Sequence, residues 1–110
     1  MIFDVRTYTC KPATLKQHLA LYEEHGLGPQ TKHLGQPVVY GFTEVGDVNT
    51  YVHIWAYNDI ADRARKREAM WSDPDWLAYT KKSAELGALI KQENTILNAT
   101  SFYKMPGATS

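Results

Sequence analysis

The chain has 110 residues, enough for one domain around one core and too few for two. With 44% hydrophobic and 22% charged residues and no apolar run near the roughly 20 residues of a membrane span, the composition predicts a globular protein without membrane insertion. Twelve basic and twelve acidic side chains cancel, which removes the electrostatic argument for nucleic acid or an anionic surface as partner.

Residues 2–9 alternate in character, with Phe3, Val5 and Thr7 on one side and Ile2, Asp4, Arg6 and Tyr8 on the other, which predicts a half-buried strand. The amino terminus runs straight into this pattern without the sections of a signal peptide. Together with a single cysteine, Cys10, it gives the expectation of a cytoplasmic protein. Pro12 breaks the strand, and Thr14 with Gln17 has the spacing of a capping box. The helix it opens carries an apolar stripe of Leu15, Leu19 and Tyr22 and is expected to end at Gly26, Gly28 and Pro29, with at most one further turn around residues 30–34. Residues 37–45 read as a second strand and residues 46–49 as a hairpin turn. Residues 50–58 then form a third strand, placing Val52, Ile54 and Ala56 on one face and Tyr51, His53, Trp55 and Tyr57 on the other.

Asn58 or Asp59 caps a helix running to about Trp71, with Asp59 four residues before Arg63 and Asp62 four before Lys66 for helical ion pairs. Ser72-Asp73-Pro74 restarts the chain as a cap followed by proline at the first helical position, and the next helix has a stripe of Trp76, Tyr79, Ser83, Leu86 and Ile90. Residues 92–103 read as the last strand, and residues 106–110 as a flexible tail after a single domain over 1–105. The order is that of an α+β, ferredoxin-like βαββαβ fold, a four-stranded antiparallel sheet with helices on one face.

If the helices cover Phe3, Val5, Val52 and Ile54, the other face displays Arg6, Tyr8, His53, Trp55 and Tyr57, joined by either Tyr40 and Phe42 or Val39 and Gly41. The reverse orientation stays open, since Tyr and Trp also pack under helices. An uncovered aromatic face of that size predicts a homodimer closing face to face around a part-polar interior suited to a small molecule. His53 could bind a ligand or transfer a proton, or be a core histidine satisfied by a neighbouring tyrosine or carbonyl. Arg6 and Tyr8 could hold an anionic or carbonyl-bearing ligand, or Arg6 could pair with Asp4, Glu44 or Glu93 across a subunit boundary. His18 and His25 are seven residues apart on one helix, too far for shared coordination, so no metal is expected, and no nucleotide or hydrolase motif occurs. Cys10, without an adjacent base, reads as structural. The run Arg63, Arg65, Lys66 and Arg67 reads as a solvated helix face, and Trp71 and Trp76 as helix anchors or the mouth of a pocket.

Several segments together, Asp4-Val-Arg-Thr-Tyr-Thr, Val52-His-Ile-Trp-Ala-Tyr, Asp62-Arg-Ala-Arg-Lys-Arg, Ser72-Asp-Pro-Asp-Trp and Gln92-Glu-Asn-Thr-Ile-Leu, resemble the NIPSNAP family of the dimeric α/β-barrel superfamily. That pattern often has Lys-Pro-Gly before the first helix where this chain has Ala13. The resemblance implies a ferredoxin-like subunit that forms a dimeric α/β barrel, and it supplies no reaction. The expectation is a homodimer without cofactor that binds a small, partly apolar ligand through Arg6, Tyr8, Tyr40, His53 and Trp55. The alternatives are a cofactor-independent monooxygenase or isomerase, with His53 and Tyr8 managing a proton and Arg6 an oxyanion, and a non-enzymatic adaptor that binds a protein through its helices.

Overall fold

A computed structural model describes residues 1–106. Four strands, β1 (Ile2–Cys10), β2 (Val39–Phe42), β3 (Thr50–Tyr57) and β4 (Leu89–Asn98), form an antiparallel sheet in the order β2-β3-β1-β4. Helices α1 (Leu15–Leu21), α2 (Leu27–Leu34), α3 (Ile60–Trp71) and α4 (Pro74–Leu86) complete the ferredoxin-like arrangement, and the sheet stays open. The register sets Arg6 opposite His53 and His53 opposite Tyr40, so these three side chains form one row across three strands. Of the flexible tail expected at 106–110, residues 107–110 lie outside the described residues.

The expected orientation of the sheet is reversed. Tyr51, His53, Trp55 and Tyr57 are all buried, whereas Val52, Ile54 and Ala56 are only half-buried, which puts the aromatic face under the helices and leaves the aliphatic face open. The reason is reach. Rings extend far enough to fill a wide gap between sheet and helices, and their polar tips find partners there, as Tyr51 does with His18 of α1. Period-2 alternation separates two faces without saying which is covered.

The first helix does not stop at its glycines and proline. It passes through a π-helical turn, Tyr22–Gly26, into α2. Pro29 falls in the first turn of α2, where no intrahelical donor is required, and the wide turn before it absorbs the steric conflict a proline would otherwise cause. Gly26 serves packing rather than termination. A Cβ there would stand 2.8 Å from the Tyr22 ring and 3.0 Å from that of Tyr79 on α4.

Four local expectations also change. Thr14 makes no capping box; its hydroxyl donates to the Lys11 carbonyl at 2.7 Å, because the preceding turn points it backwards. Arg63 leaves Asp59, whose side chain caps α3 by accepting from Asp62 N, and pairs with Asp4 instead. Lys66 does reach Asp62, at 3.2 Å. The last strand spans Leu89–Asn98 rather than 92–103, because β1 is its ladder partner: Cys10 faces Leu89, and just beyond Asn98 the Ala99 N–H still reaches the Met1 carbonyl just before β1. Past it, Tyr103 folds back edge-on to Phe3, with ring centroids 5.2 Å apart. Ile90, assigned above to a helical stripe, is an exposed β4 residue because α4 ends at Gly87, whose φ of 67° is left-handed.

Ala13 takes a φ of 69° in the turn before α1, a left-handed conformation that costs a residue with a Cβ about 1 kcal/mol. Ala13→Gly is therefore expected to raise the unfolding free energy by about 1 kcal/mol, read as a higher urea midpoint at unchanged slope; a lower midpoint would refute the assignment of strain.

Candidate functional site

Between the aromatic face of the sheet and the helices lies a cavity of about 370 Å³. Arg6, Tyr8, Tyr40 and His53 all contribute to its wall. Trp55 does not. It lies fully buried behind His53, and its indole Nε1–H donates to His53 Nδ1 at 2.7 Å. The opposing wall comes from the helices, with Trp71, Trp76 and Tyr79 among its rings, and Trp71 and Trp76 meet edge to face at 5.9 Å.

The indole bond decides the chemistry of His53. An indole nitrogen only donates, so Nδ1 must accept, and the neutral ring carries its hydrogen on Nε2. Desolvation by burial, reinforced by the Arg6 guanidinium, pushes the His53 pKa down to about 3. Protonating the ring would add a hydrogen at Nδ1 and break the indole bond. His53 is thus a neutral donor, and Nε2 has no partner among the described residues. Tyr40 and Tyr51 stack nearly parallel to its ring, at centroid separations of 4.8 and 5.7 Å, and Tyr8 stands perpendicular to it at 4.8 Å.

Arg6 is held from two sides. Its Nε donates to the Tyr8 hydroxyl at 2.8 Å and its Nη1 to Asp4 Oδ2 at 3.0 Å. The same Asp4 oxygen accepts from Arg63 Nε of α3 at 3.0 Å, so the pairing expected across a subunit boundary is intramolecular. Because the Tyr8 oxygen accepts from Arg6, the hydroxyl hydrogen is free to donate elsewhere. Burial raises the pKa of Tyr22, Tyr40, Tyr51 and Tyr79, which keeps these phenols protonated at neutral pH.

Arg67 is the wall residue that the sequence reading placed in solvent. It is half-buried, and among the described residues no carboxylate lies within ion-pair distance of it. Helical spacing contains the signal: Arg63, Arg67 and Met70 follow at four and three residues, and Met70 is the fully buried member of that stripe. The histidines are separately engaged. His18 bonds Tyr51, His25 lies near Glu24, and His33 Nε2 meets Asp73 Oδ2 at 2.8 Å, a contact that holds the Asp73 carboxyl below its usual range. Cys10 is buried, and desolvation pushes its thiol up.

These features define an α+β, ferredoxin-like domain with an aromatic, arginine-lined cavity between its sheet and helices. The NIPSNAP family model matches residues 3–104, and the chain belongs to the NIPSNAP family. It is 33% identical over 82 residues to the NipSnap homolog of Dictyostelium discoideum, covering 74% of this chain and 36% of that one. The match to the human NipSnap homolog 3A is 31% over 77 residues, 69% of this chain and 30% of that protein. The chain thus spans about a third of the length of these relatives. A crystallised NIPSNAP family protein with unknown function from Agrobacterium tumefaciens is 35% identical, with a TM-score of 0.86 over 96% of this chain and 93% of that one. An uncharacterised NIPSNAP domain protein from Burkholderia xenovorans is 30% identical, with a TM-score of 0.87 over 94% and 99%. A putative antibiotic biosynthesis monooxygenase from Nitrosomonas europaea, 11% identical with a TM-score of 0.65 over 94% and 100%, shares the fold.

The unfolded chain protonates His53 near pH 6.5 and the folded one near 3, so this residue destabilises the fold progressively as pH falls through that window. His53→Asn retains an acceptor for the indole and has no proton to gain. In urea titrations between pH 6 and 4.5, its unfolding free energy should fall less steeply than that of the parent, by up to about 1.4 kcal/mol per pH unit; equal slopes would show that His53 is not held neutral.

Proposed function

We propose that residues 1–105 act as one NIPSNAP-like unit that binds a small, partly apolar molecule in the cavity between its sheet and helices, and that does so as a cytoplasmic homodimer. The observation that carries this reading is the lining itself: a largely aromatic wall in which a few polar groups, Arg6, Tyr8 and His53, come together from adjacent strands. The dimer reading moves to the other side of the sheet. There Val5, Val52, Ile54 and Ala56 continue into Leu97 of β4 as an aliphatic surface that no helix or strand among the described residues covers. A second copy packed on the same face buries that surface with twofold symmetry and produces the barrel that the family resemblance implies. Among the described residues no helix is long and apolar enough to cross a membrane.

Native mass spectrometry of protein from its own host tests both parts. The expected result is a species at twice the 12.5 kDa protomer mass that retains a small molecule. Ile54→Asp should release the protomer with its far-UV circular dichroism unchanged. A parent protein that runs at 12.5 kDa at micromolar concentration would remove the dimer, and a cavity that neither retains nor takes up any small molecule would remove the binding reading.

A further inference from the structure

Among the described residues, two arginines, Arg6 and Arg67, and no aspartate or glutamate line the cavity. The nearby carboxylate, Asp4, is fully buried, and its one bonded oxygen is already divided between Arg6 and Arg63. Two guanidiniums therefore share that carboxylate, Arg6 from the strand and Arg63 from the helix. Arg67, which also lines the cavity, has no carboxylate within ion-pair distance among the described residues and is half-buried, where solvent screens it less than at the surface. Desolvation together with repulsion from Arg6 lowers the pKa of Arg67, as expected for a cation that lacks a counter-charge. To this the wall adds the unpartnered His53 Nε2–H, a residue only 3% exposed, and the unspent hydrogen of the Tyr8 hydroxyl.

We infer that the ligand of this cavity is an aromatic carboxylate, its anionic group taken by Arg67 and Arg6 with His53 Nε2–H and its flat ring held among Tyr40, Trp76 and Tyr79. This rests on the reading that the cavity binds a small molecule and adds the ligand's charge and shape. Guanidinium forks match a carboxylate in geometry as well as charge, and rings of the wall favour a planar body over a branched one. A neutral histidine is the right third donor. It offers a hydrogen bond without adding a charge that two arginines would oppose.

The test is calorimetric titration of the full chain with benzoate, 2-naphthoate and indole-3-acetate, each beside its neutral amide. The acids should bind and the amides should bind at least about tenfold more weakly, the usual scale for a charge-assisted hydrogen bond. Arg67→Gln should erase that preference by weakening the acids about tenfold or more while leaving the amides unchanged, and Arg67→Lys should restore part of it. His53→Asn, which keeps the acceptor for the indole and loses the Nε2 donor, should weaken the acids more than the amides, since a carboxylate accepts the stronger hydrogen bond. Acids and amides binding equally well would overturn the anion assignment and leave small-molecule binding standing. No binding by any member of either series would overturn both, and an acid affinity indifferent to Arg67→Gln would overturn the site proposed for the carboxylate.

Discussion

The buried carboxylate of Asp4 ties the two layers of this protein together. An ionised group with no solvent exposure is tolerated only when opposite charges meet it, and here one arginine comes from its own strand and the other from α3. Removing one partner from such a cluster typically costs about 3 to 5 kcal/mol, because a stranded charge remains behind. The bridge from β1 to α3 therefore fixes how far that helix stands from the sheet. It also orients Arg6 and, one helical turn beyond Arg63, sets the position of Arg67. The cation-lined wall is a consequence of the contact that docks the helix.

The space so defined is filled from both sides by rings. Tyr22 stacks on Tyr40 with centroids 5.0 Å apart and meets Tyr79 edge-on at 5.7 Å, so helix and sheet interlock through aromatic contacts rather than interdigitating aliphatic chains. Flat, stiff groups of this length touch at their tips and edges and leave room between them. Their polar ends make the layer demanding, since each must find a partner or stay unsatisfied at a cost. Tyr51 finds His18, and Tyr22 donates to Gln30 Oε1. Trp76 Nε1 and His53 Nε2 find none among the described residues, and both residues border the cavity.

Much of the architecture was legible in the amino acids, and the reasons are specific. The period-2 alternation of β1 and β3, the turn at residues 46–49 and the Ser72-Asp73-Pro74 restart gave the element order, because each is a local signal that tertiary packing did not overrule. The shared face of Arg6, Tyr8 and His53 was legible for the same reason, since parity along a strand survives any choice of orientation. Which face the helices cover was not, because an aromatic surface with polar tips suits a cavity under helices as well as a meeting of subunits. Pro29 misled because proline breaks a helix only beyond its first turn, and a wide turn upstream had reset where that first turn begins. Arg67 was hidden in a run of charges whose partners at i−4 suggested open solvent; one member, Arg63, had its true partner 59 residues away.

The wide turn at Tyr22–Gly26 also has a consequence for how chain length is read in this fold. Successive residues on an α-helix are about 100° apart, so one residue gained or lost there acts as a swivel, turning everything downstream by about that angle. Gln30 and Leu34 point inward as the chain stands. A single-residue indel within this turn would aim different side chains at the cavity while leaving every strand untouched, which makes it a place where relatives can diverge in what they accommodate without rebuilding the sheet.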